Sequence, residues 1–295
     1  MFPVITTECL LEKNAFSSCR QCIAVCDAQS FSLSGGRVHL NSASCHQCGR
    51  CVAACPINAI DGQAPDRRVI SGWLLSSASP PPSVKELLLY YAAGIVAMRI
   101  AAHHDGWLAT ARQANACLAQ MGKRPFTLET ATGHDEAVSD SRRALFGLRR
   151  LTNPLARSGL AGASLAQAFP GFQFTRLEID SPRCTLCLAC ARVCPGSALT
   201  ISARDIAFDG SRCNACRLCQ DACPEKAIDL IAVVQPLAPE RIGIHIVPCR
   251  ACGEPYASLN NAPATCPACR IKRRLNIPAS AIGQASLSLS REDNR

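Results

Sequence analysis

Eight cysteines between residues 184 and 223 carry the strongest chemical signal in the sequence. They form two runs with the same spacing, C-x2-C-x2-C-x3-C-P, which begin at Cys184 and Cys213. Three cysteines spaced in this way can wrap a tight loop around one inorganic centre, and the fourth, before a proline, can point towards a second centre. Zinc sites instead use two C-x2-C pairs. The spacing therefore favours iron–sulfur clusters over zinc knuckles or disulfides.

The two runs resemble the module of bacterial two-cluster ferredoxins. In such a module each run gives three thiolates to one 4Fe-4S cluster, and its fourth cysteine binds the other cluster. The resemblance implies two ligand sets in this region, one for each cluster. These are Cys184, Cys187, Cys190 and Cys223 for cluster 3, and Cys194, Cys213, Cys216 and Cys219 for cluster 4.

An imperfect copy of the pattern precedes residue 62. Its second run, Cys45 to Pro56, is complete, but its first run has Phe16 at the position of the leading cysteine and Asp27 in place of the proline. Cys9, ten residues before Cys19, could supply the missing thiolate. The resemblance then implies Cys9, Cys19, Cys22 and Cys55 for cluster 1, and Cys26, Cys45, Cys48 and Cys51 for cluster 2. If Cys9 is only a small buried residue, the first site has three protein ligands and could hold a 3Fe-4S cluster.

Four more cysteines form two C-x2-C pairs, with thirteen residues between the pairs. This arrangement resembles a zinc ribbon or a shortened rubredoxin, in which two facing turns offer four thiolates tetrahedrally. Rubredoxin has a longer spacer and a glycine where Arg270 stands, which favours zinc over iron. The sequence predicts one zinc ion bound by Cys249, Cys252, Cys266 and Cys269.

Composition indicates the cellular compartment in which these cysteines would bind metal. The chain has 295 residues, of which 21 are cysteine. A secreted disulfide scaffold is disfavoured, because the cysteines fall in metal-type runs and the N-terminus shows no signal peptide. A reducing cytoplasm is therefore predicted. The longest apolar run, residues 87–102, is shorter than the ~20 residues that span a bilayer, so no transmembrane segment is predicted.

The formal net charge is +9. Clusters bound by four thiolates carry negative charge, so the basic side chains partly offset the predicted cofactors. The same positive surface could steer acidic redox partners towards the protein. The net charge is only weak evidence for nucleic-acid binding.

Short elements are predicted around the cysteine runs. Residues 31–34 and 37–40 form a hairpin with a Gly-Gly turn, and residues 198–201 and 205–208 form its equivalent. An apolar strand follows the last cysteine of each module, at 57–60 and 227–234. Each module is then an α+β unit of about sixty residues, which buries so little core that we expect it to unfold without iron.

The residues between the modules show alternating strand and helix patterns. The predicted strands are 68–75, 95–100 and 125–130. The predicted helices are Val84 to about Ala93, opened by a Ser83–Glu86 capping box, and a second helix capped by Asp105 and ended by Gly122. This β-α-β-α-β order predicts a small parallel sheet. A basic helix, Val138–Leu151, and a flexible Gly/Ala/Ser-rich connection at 152–170 are predicted to follow.

The predicted fold class is α+β: two ferredoxin-like dicluster modules flank a small α/β insert with a parallel sheet, and a zinc-ribbon-like element follows. The predicted segments are 1–66 for the N-terminal module, 67–151 for the insert, 152–179 for a linker, 180–236 for the second module, 237–278 for the zinc-ribbon-like element and 279–295 for a disordered tail.

These features favour a polyferredoxin-like electron-transfer protein that passes single electrons through four 4Fe-4S clusters to or from a redox enzyme or carrier protein. The sequence shows no phosphate-binding loop and no substrate motif, so an electron carrier is favoured over a catalytic reductase. The alternative is a regulatory or maturation factor for a redox enzyme, with the zinc ribbon as an interaction module. Nucleic acid is disfavoured as a partner.

Overall fold

The structure is a computed structural model that describes residues 2–65, 67–77, 80–131, 154–158 and 162–276. The basic helix predicted at Val138–Leu151 and the tail predicted at 279–295 lie outside these residues. Helices and strands are mixed throughout the described part of the chain. Among the described residues, no helix is both long enough and apolar enough to cross a membrane.

The N-terminal module is built from short elements between its cysteines. Strand β1 (Val4–Ile5) pairs antiparallel with β4 (Ile60–Asp61), which brings the two ends of the module together. The predicted hairpin is present, since β2 (Phe31–Ser34) pairs with β3 (Arg37–Leu40). Three short helices complete the module: α1 (Leu10–Lys13), α2 (Gln21–Ala24) and α3 (Arg50–Ala54).

A four-stranded sheet forms the insert. Strands β5 (Val69–Ile70) and β6 (Trp73–Leu75) make an antiparallel hairpin instead of the single predicted strand. The reason is local, because Ser71 and Gly72 both have positive φ (50° and 82°) and reverse the chain. Strands β6, β7 (Ala97–Ala101) and β8 (Thr127–Ala131) then pair in parallel, which agrees with the predicted strand and helix order.

Two helices, α4 (Val84–Ala92) and α5 (Asp105–Gln120), connect the parallel strands of the insert. The Ser83 hydroxyl accepts a hydrogen bond from the Glu86 N–H at 3.1 Å, which is half of the predicted capping box. The Glu86 carboxylate instead forms a buried ion pair with Arg67 at 2.8 Å. Asp105 is the first residue of α5, and His104 takes the capping position.

The core of the insert extends into residues that lie beyond its predicted boundary. Leu87, Met98 and Leu118 are fully buried in this core, and Phe169 and Leu155 are buried in it too. Leu155 lies in α6 (Pro154–Ser158), and Phe169 follows α7 (Leu165–Ala168), which opens with a complete Ser164–Gln167 capping box. The flexible connection predicted at 152–170 thus contains two helices that pack on the insert, since apolar side chains anchor both.

The second module repeats the plan of the first with longer strands. Strands β9 (Phe172–Ile179) and β12 (Ile228–Pro236) pair antiparallel, and β10 (Leu199–Ile201) and β11 (Asp205–Phe208) form the predicted hairpin. Strand β13 (Glu240–Gly243) adds to β11. Short helices α8 (Ala189–Arg192) and α9 (Leu218–Asp221) and a 3-10 turn (Gly210–Arg212) lie between the strands.

Two predicted segment boundaries therefore differ from the structure. Residues 172–179, predicted as linker, form β9, which pairs antiparallel with β12 and buries Gln173, Thr175 and Leu177. Residues 240–243, predicted as part of the zinc-ribbon-like element, form β13 of the second module's sheet. The C-terminal element itself consists of the hairpin β14 (His245–Pro248) and β15 (Pro255–Ser258) with helix α10 (Pro267–Arg274).

Candidate metal centres

Sites 1 to 4 are the cysteine sets predicted for clusters 1 to 4. At site 1, Cys9, Cys19, Cys22 and Cys55 line one mostly apolar pocket. Burial raises the pKa of Cys22 to about 12, and the charges of the other three thiols raise it as well, since like charges oppose ionisation. Phe16, where the run lacks its cysteine, is 48% exposed. The structure thus brings Cys9 to the place of the missing thiol, from the residue that precedes α1.

At site 2, Cys26, Cys45, Cys48 and Cys51 line a second pocket. Cys51 lies in α3 and is buried, whereas Cys48 is exposed. Burial raises the pKa of Cys51 to about 11, and the charges of Cys48 and Cys45 raise it as well. Site 2 is therefore open to solvent on the side of Cys48.

In the second module, Cys184, Cys187, Cys190 and Cys223 line one pocket, which is site 3. Cys187 is exposed. At site 4, burial raises the pKa of Cys219 to about 12, and the charges of its neighbours Cys216, Cys213 and Cys194 raise it as well. At sites 1 to 3 the four predicted cysteines thus line one pocket, and at site 4 the four lie close enough to affect one another's charge.

A backbone hydrogen bond to sulfur recurs at the last cysteine of all four runs. In each case the donor is the N–H four residues later. The donor and acceptor pairs are Ser30 to Cys26 at 3.3 Å, Ala59 to Cys55 at 3.2 Å, Ala198 to Cys194 at 3.3 Å and Ala227 to Cys223 at 3.2 Å. The residue before each donor has positive φ and turns its N–H back: Gln29, Asn58, Ser197 and Lys226. The first run keeps this geometry although Asp27 replaces the proline.

The first run differs from the other three in the backbone around its second cysteine. In the three complete runs both neighbours of that cysteine have positive φ: Gln47 and Gly49, Leu186 and Leu188, and Ala215 and Arg217. Such conformations cost about 1–3 kcal/mol for residues other than glycine and gather at functional sites. In the first run the corresponding cysteine is Cys19, and neither of its neighbours, Ser18 and Arg20, has positive φ. The first run therefore lacks the tight loop around its second cysteine, and its leading position is left to Cys9.

The donor sets fit 4Fe-4S clusters. Each brings four thiols near one another, and a backbone N–H donates to the sulfur of one cysteine in every set. Thiolate ligation and N–H···S bonds are the features that hold such a cluster and set its potential. When bound, a 4Fe-4S cluster accepts and releases one electron.

Comparison with known families agrees with this geometry. Residues 11–56 and residues 183–227 each match a family described as a 4Fe-4S dicluster domain. The chain contains two 4Fe-4S dicluster domains. Such domains indicate an iron–sulfur electron-transfer role. The matched part of the N-terminal dicluster domain begins after Cys9, so the match does not include that residue. No curated protein matches the chain.

The four C-terminal cysteines form a compact site beside the second dicluster domain. The sulfur atoms of Cys249, Cys252, Cys266 and Cys269 all lie within 4.8 Å of one another. The N–H of Cys266 lowers the pKa of Cys249 to about 6, and the N–H of Ala251 acts in the same direction. Hydrogen bonds to the neighbouring thiols Cys266 and Cys252 raise the pKa of Cys269 to about 12, so all four sulfurs ionise together only beside a cation. We call β14, β15 and α10 with these cysteines the four-cysteine element; its donor set fits a tetrahedral metal ion.

Cys117 is the one cysteine outside these five sets. It lies in α5, packs against the core of the insert and is half-buried. Burial raises its pKa, which makes it a poor nucleophile. The structure therefore favours a packing role for Cys117.

The two dicluster domains touch each other next to their cysteines. Ser18, which precedes Cys19 of site 1, donates hydrogen bonds from its N–H and its hydroxyl to the two carboxylate oxygens of Asp221, both at 2.7 Å. Asp221 lies in α9 between Cys219 of site 4 and Cys223 of site 3. Sequence reasoning missed this pair, because neither residue belongs to a motif.

Two basic side chains from neighbouring elements also reach the dicluster domains. Lys85 in α4 donates to the backbone carbonyl of Ala53 at 3.2 Å. Burial lowers the pKa of Lys85, and the nearby Cys55 thiol opposes that effect. Arg270 in α10 donates to the backbone carbonyl of Pro182, close to Cys184. Both contacts place positive charge near predicted clusters, and the sequence offered no signal for either.

Proposed function

We propose that the protein relays single electrons through four 4Fe-4S clusters between a redox enzyme and an electron carrier. The ligands in this proposal are the four cysteines of each of sites 1 to 4, with Cys9 as the fourth ligand of site 1. Zinc at the four-cysteine element would be structural, because zinc has no redox chemistry. The cytoplasm remains the proposed location.

The observation that carries this proposal is the contact between the two dicluster domains. The Ser18–Asp221 hydrogen bonds join the loop of site 1 to the helix between the ligands of site 4. A cleft beside this contact is lined by Asn14 and Ile57 from one domain and by Cys194 and Arg212 from the other. Contact at these loops favours electron exchange between the domains, since hopping needs centres that lie close together.

Cysteine exposure suggests where electrons enter and leave. Cys48 of site 2 and Cys187 of site 3 are exposed, whereas the corresponding Cys19 and Cys216 of sites 1 and 4 are half-buried. The proposed order is therefore 2, 1, 4, 3, with a partner protein at each outer site. An electron path through all four clusters requires the two domains to be in contact, which agrees with the Ser18–Asp221 hydrogen bonds.

Purification without oxygen, followed by iron and sulfide analysis and EPR of the dithionite-reduced protein, tests this function. We expect about sixteen iron and sixteen sulfide ions per chain, as four 4Fe-4S clusters require. Reduction should give signals from several interacting paramagnetic centres. A colourless protein with zinc but no iron after reconstitution with iron and sulfide would contradict the proposal.

A regulatory or maturation factor remains the second candidate, since α10 carries Lys272, Arg273 and Arg274 in its last turn. Arg274 is engaged with Glu225 of the second dicluster domain at 3.6 Å, which favours a role within the chain. Salt-sensitive binding of the purified protein to DNA or RNA would support this candidate. Co-purification with a redox enzyme would support electron transfer.

A further inference from the structure

The four-cysteine element is packed directly onto site 3. Arg270 donates to the carbonyl of Pro182, two residues before the ligand Cys184. Arg274 pairs at 3.6 Å with Glu225, two residues after the ligand Cys223. Leu259, which follows β15, is buried in the core of the second dicluster domain. Helix α10 therefore reaches both ends of the site 3 ligand set.

The position of α10 depends on the cysteines of this element. Cys266 is the residue that caps the helix, and its sulfur accepts a hydrogen bond from the N–H of Cys269 at 3.5 Å. Arg270 is the next residue. A metal ion bound by these cysteines fixes the first turn of the helix from which Arg270 extends. The element has few apolar residues with which to hold this turn otherwise, and small units of this kind rely on such a metal.

We propose that the metal of the four-cysteine element holds Arg270 beside site 3, and that the arginine charge makes the cluster at site 3 easier to reduce. The proposal depends on the proposed function, because it requires a cluster at site 3. One-electron reduction by an external donor adds one negative charge to the cluster, and a positive charge nearby stabilises the reduced form more than the oxidised form. The four-cysteine element thereby couples metal loading to the potential of the outermost centre.

Redox titration of the full-length protein, followed by EPR, tests the role of Arg270. In R270Q we expect one of the four one-electron steps to move to more negative potential. At the wild-type midpoint of that step the ratio of reduced to oxidised cluster should fall by up to about tenfold, which is about 59 mV for one electron. R270K should restore most of the wild-type value, because it keeps the charge. R273Q is the matched control: it removes the same charge from an exposed position of the same helix and should leave all four steps unchanged.

A cysteine variant assigns the step that moves. C187A removes a site 3 ligand, so the step that shifts in R270Q should be the one that C187A abolishes or alters. If R270Q leaves all steps in place, or shifts a step that C187A leaves intact, the proposal is wrong. Failure of the proposed function would look different, since wild-type protein would then lack the four steps altogether.

The coupling to the metal has its own test. C252S should release the metal of the four-cysteine element, which metal analysis would show, and should shift the same step as R270Q. The double variant C252S/R270Q should shift that step no further than either single change, because both act through one contact. A C252S protein that has lost this metal and keeps wild-type potentials would overturn the coupling, as would two fully additive shifts.

Discussion

The two dicluster domains reach the same arrangement of sulfurs by different local structures. In the second domain both runs are tight loops, with Leu186 and Leu188 or Ala215 and Arg217 in the left-handed conformation. In the N-terminal domain the first run lacks this loop, since neither Ser18 nor Arg20 has positive φ, and Cys9 reaches the pocket from before α1. The comparison teaches that four thiols around a pocket define such a site, and that regular spacing is one way to place them.

The domains also differ in what covers them. The insert packs beside the N-terminal domain and sends Lys85 to the carbonyl of Ala53. The four-cysteine element packs on the second domain and sends Arg270 to the carbonyl of Pro182. A different structural unit thus supplies a basic side chain to each domain.

Removal of iron should produce the largest difference between regions. Chelation should unfold both dicluster domains, because their helices and strands are short and their cores small. The insert should keep its structure, since Leu87, Met98 and Leu118 form a core without cysteine ligands. Hydrogen exchange followed by mass spectrometry would measure this by region. Equal protection of all regions with and without iron would contradict the expected dependence on clusters.

The role of Cys9 can be tested against its counterpart Cys184. C9A should leave three protein ligands at site 1, so we expect the loss of about one iron per chain and an EPR signal of an oxidised 3Fe-4S cluster. C184A should have the same effect at site 3 if the two domains are equivalent. C117A is the control and should change neither iron content nor spectrum. Unchanged iron content in C9A would show that Cys9 is not a ligand. The two domains would then hold different kinds of cluster site.

The contact between the domains should matter less for stability than for electron exchange. D221A removes two hydrogen bonds at the surface, each worth about 1 kcal/mol, so iron content should stay the same. Electron transfer between the domains after pulsed reduction should become slower, because the docked arrangement is less populated. D205A is the matched control, since it removes a carboxylate of the same domain that pairs with Arg241. Equal rates in D221A and wild type would show that the Ser18–Asp221 contact does not contribute to electron transfer between the domains.

The smallest effect is expected for Lys85. K85Q removes a positive charge near Cys55, so one cluster step should move to slightly more negative potential, in the same direction as for R270Q. K85R should keep the wild-type value. K123Q is the control within the insert, where the Lys123 ammonium lies over the Phe169 ring. A shift in K85Q without one in R270Q would show that only the insert tunes its neighbouring domain.

Much of the fold and of the candidate sites follows from local pattern. Both hairpins and the parallel strands of the insert were predicted, because turn residues and alternating elements are local features. The hairpin at Val69–Leu75 was missed, since Ser71-Gly72 was not recognised as a turn. The strand at 172–179 was also missed, because only its pairing with 228–236 reveals it.

The sequence by itself determined which three cysteines of a complete run lie together, because the distances between ligands within a run are set by a few backbone torsions; the fourth member of each group followed from the resemblance to two-cluster ferredoxins. Only the tertiary structure decided how the groups face one another and what charge lies beside them. Ser18 meets Asp221 across 203 positions of the chain, and Arg270 meets Pro182 across 88. Contacts of this kind form only when whole domains pack against each other. No local pattern of residues predicts that packing.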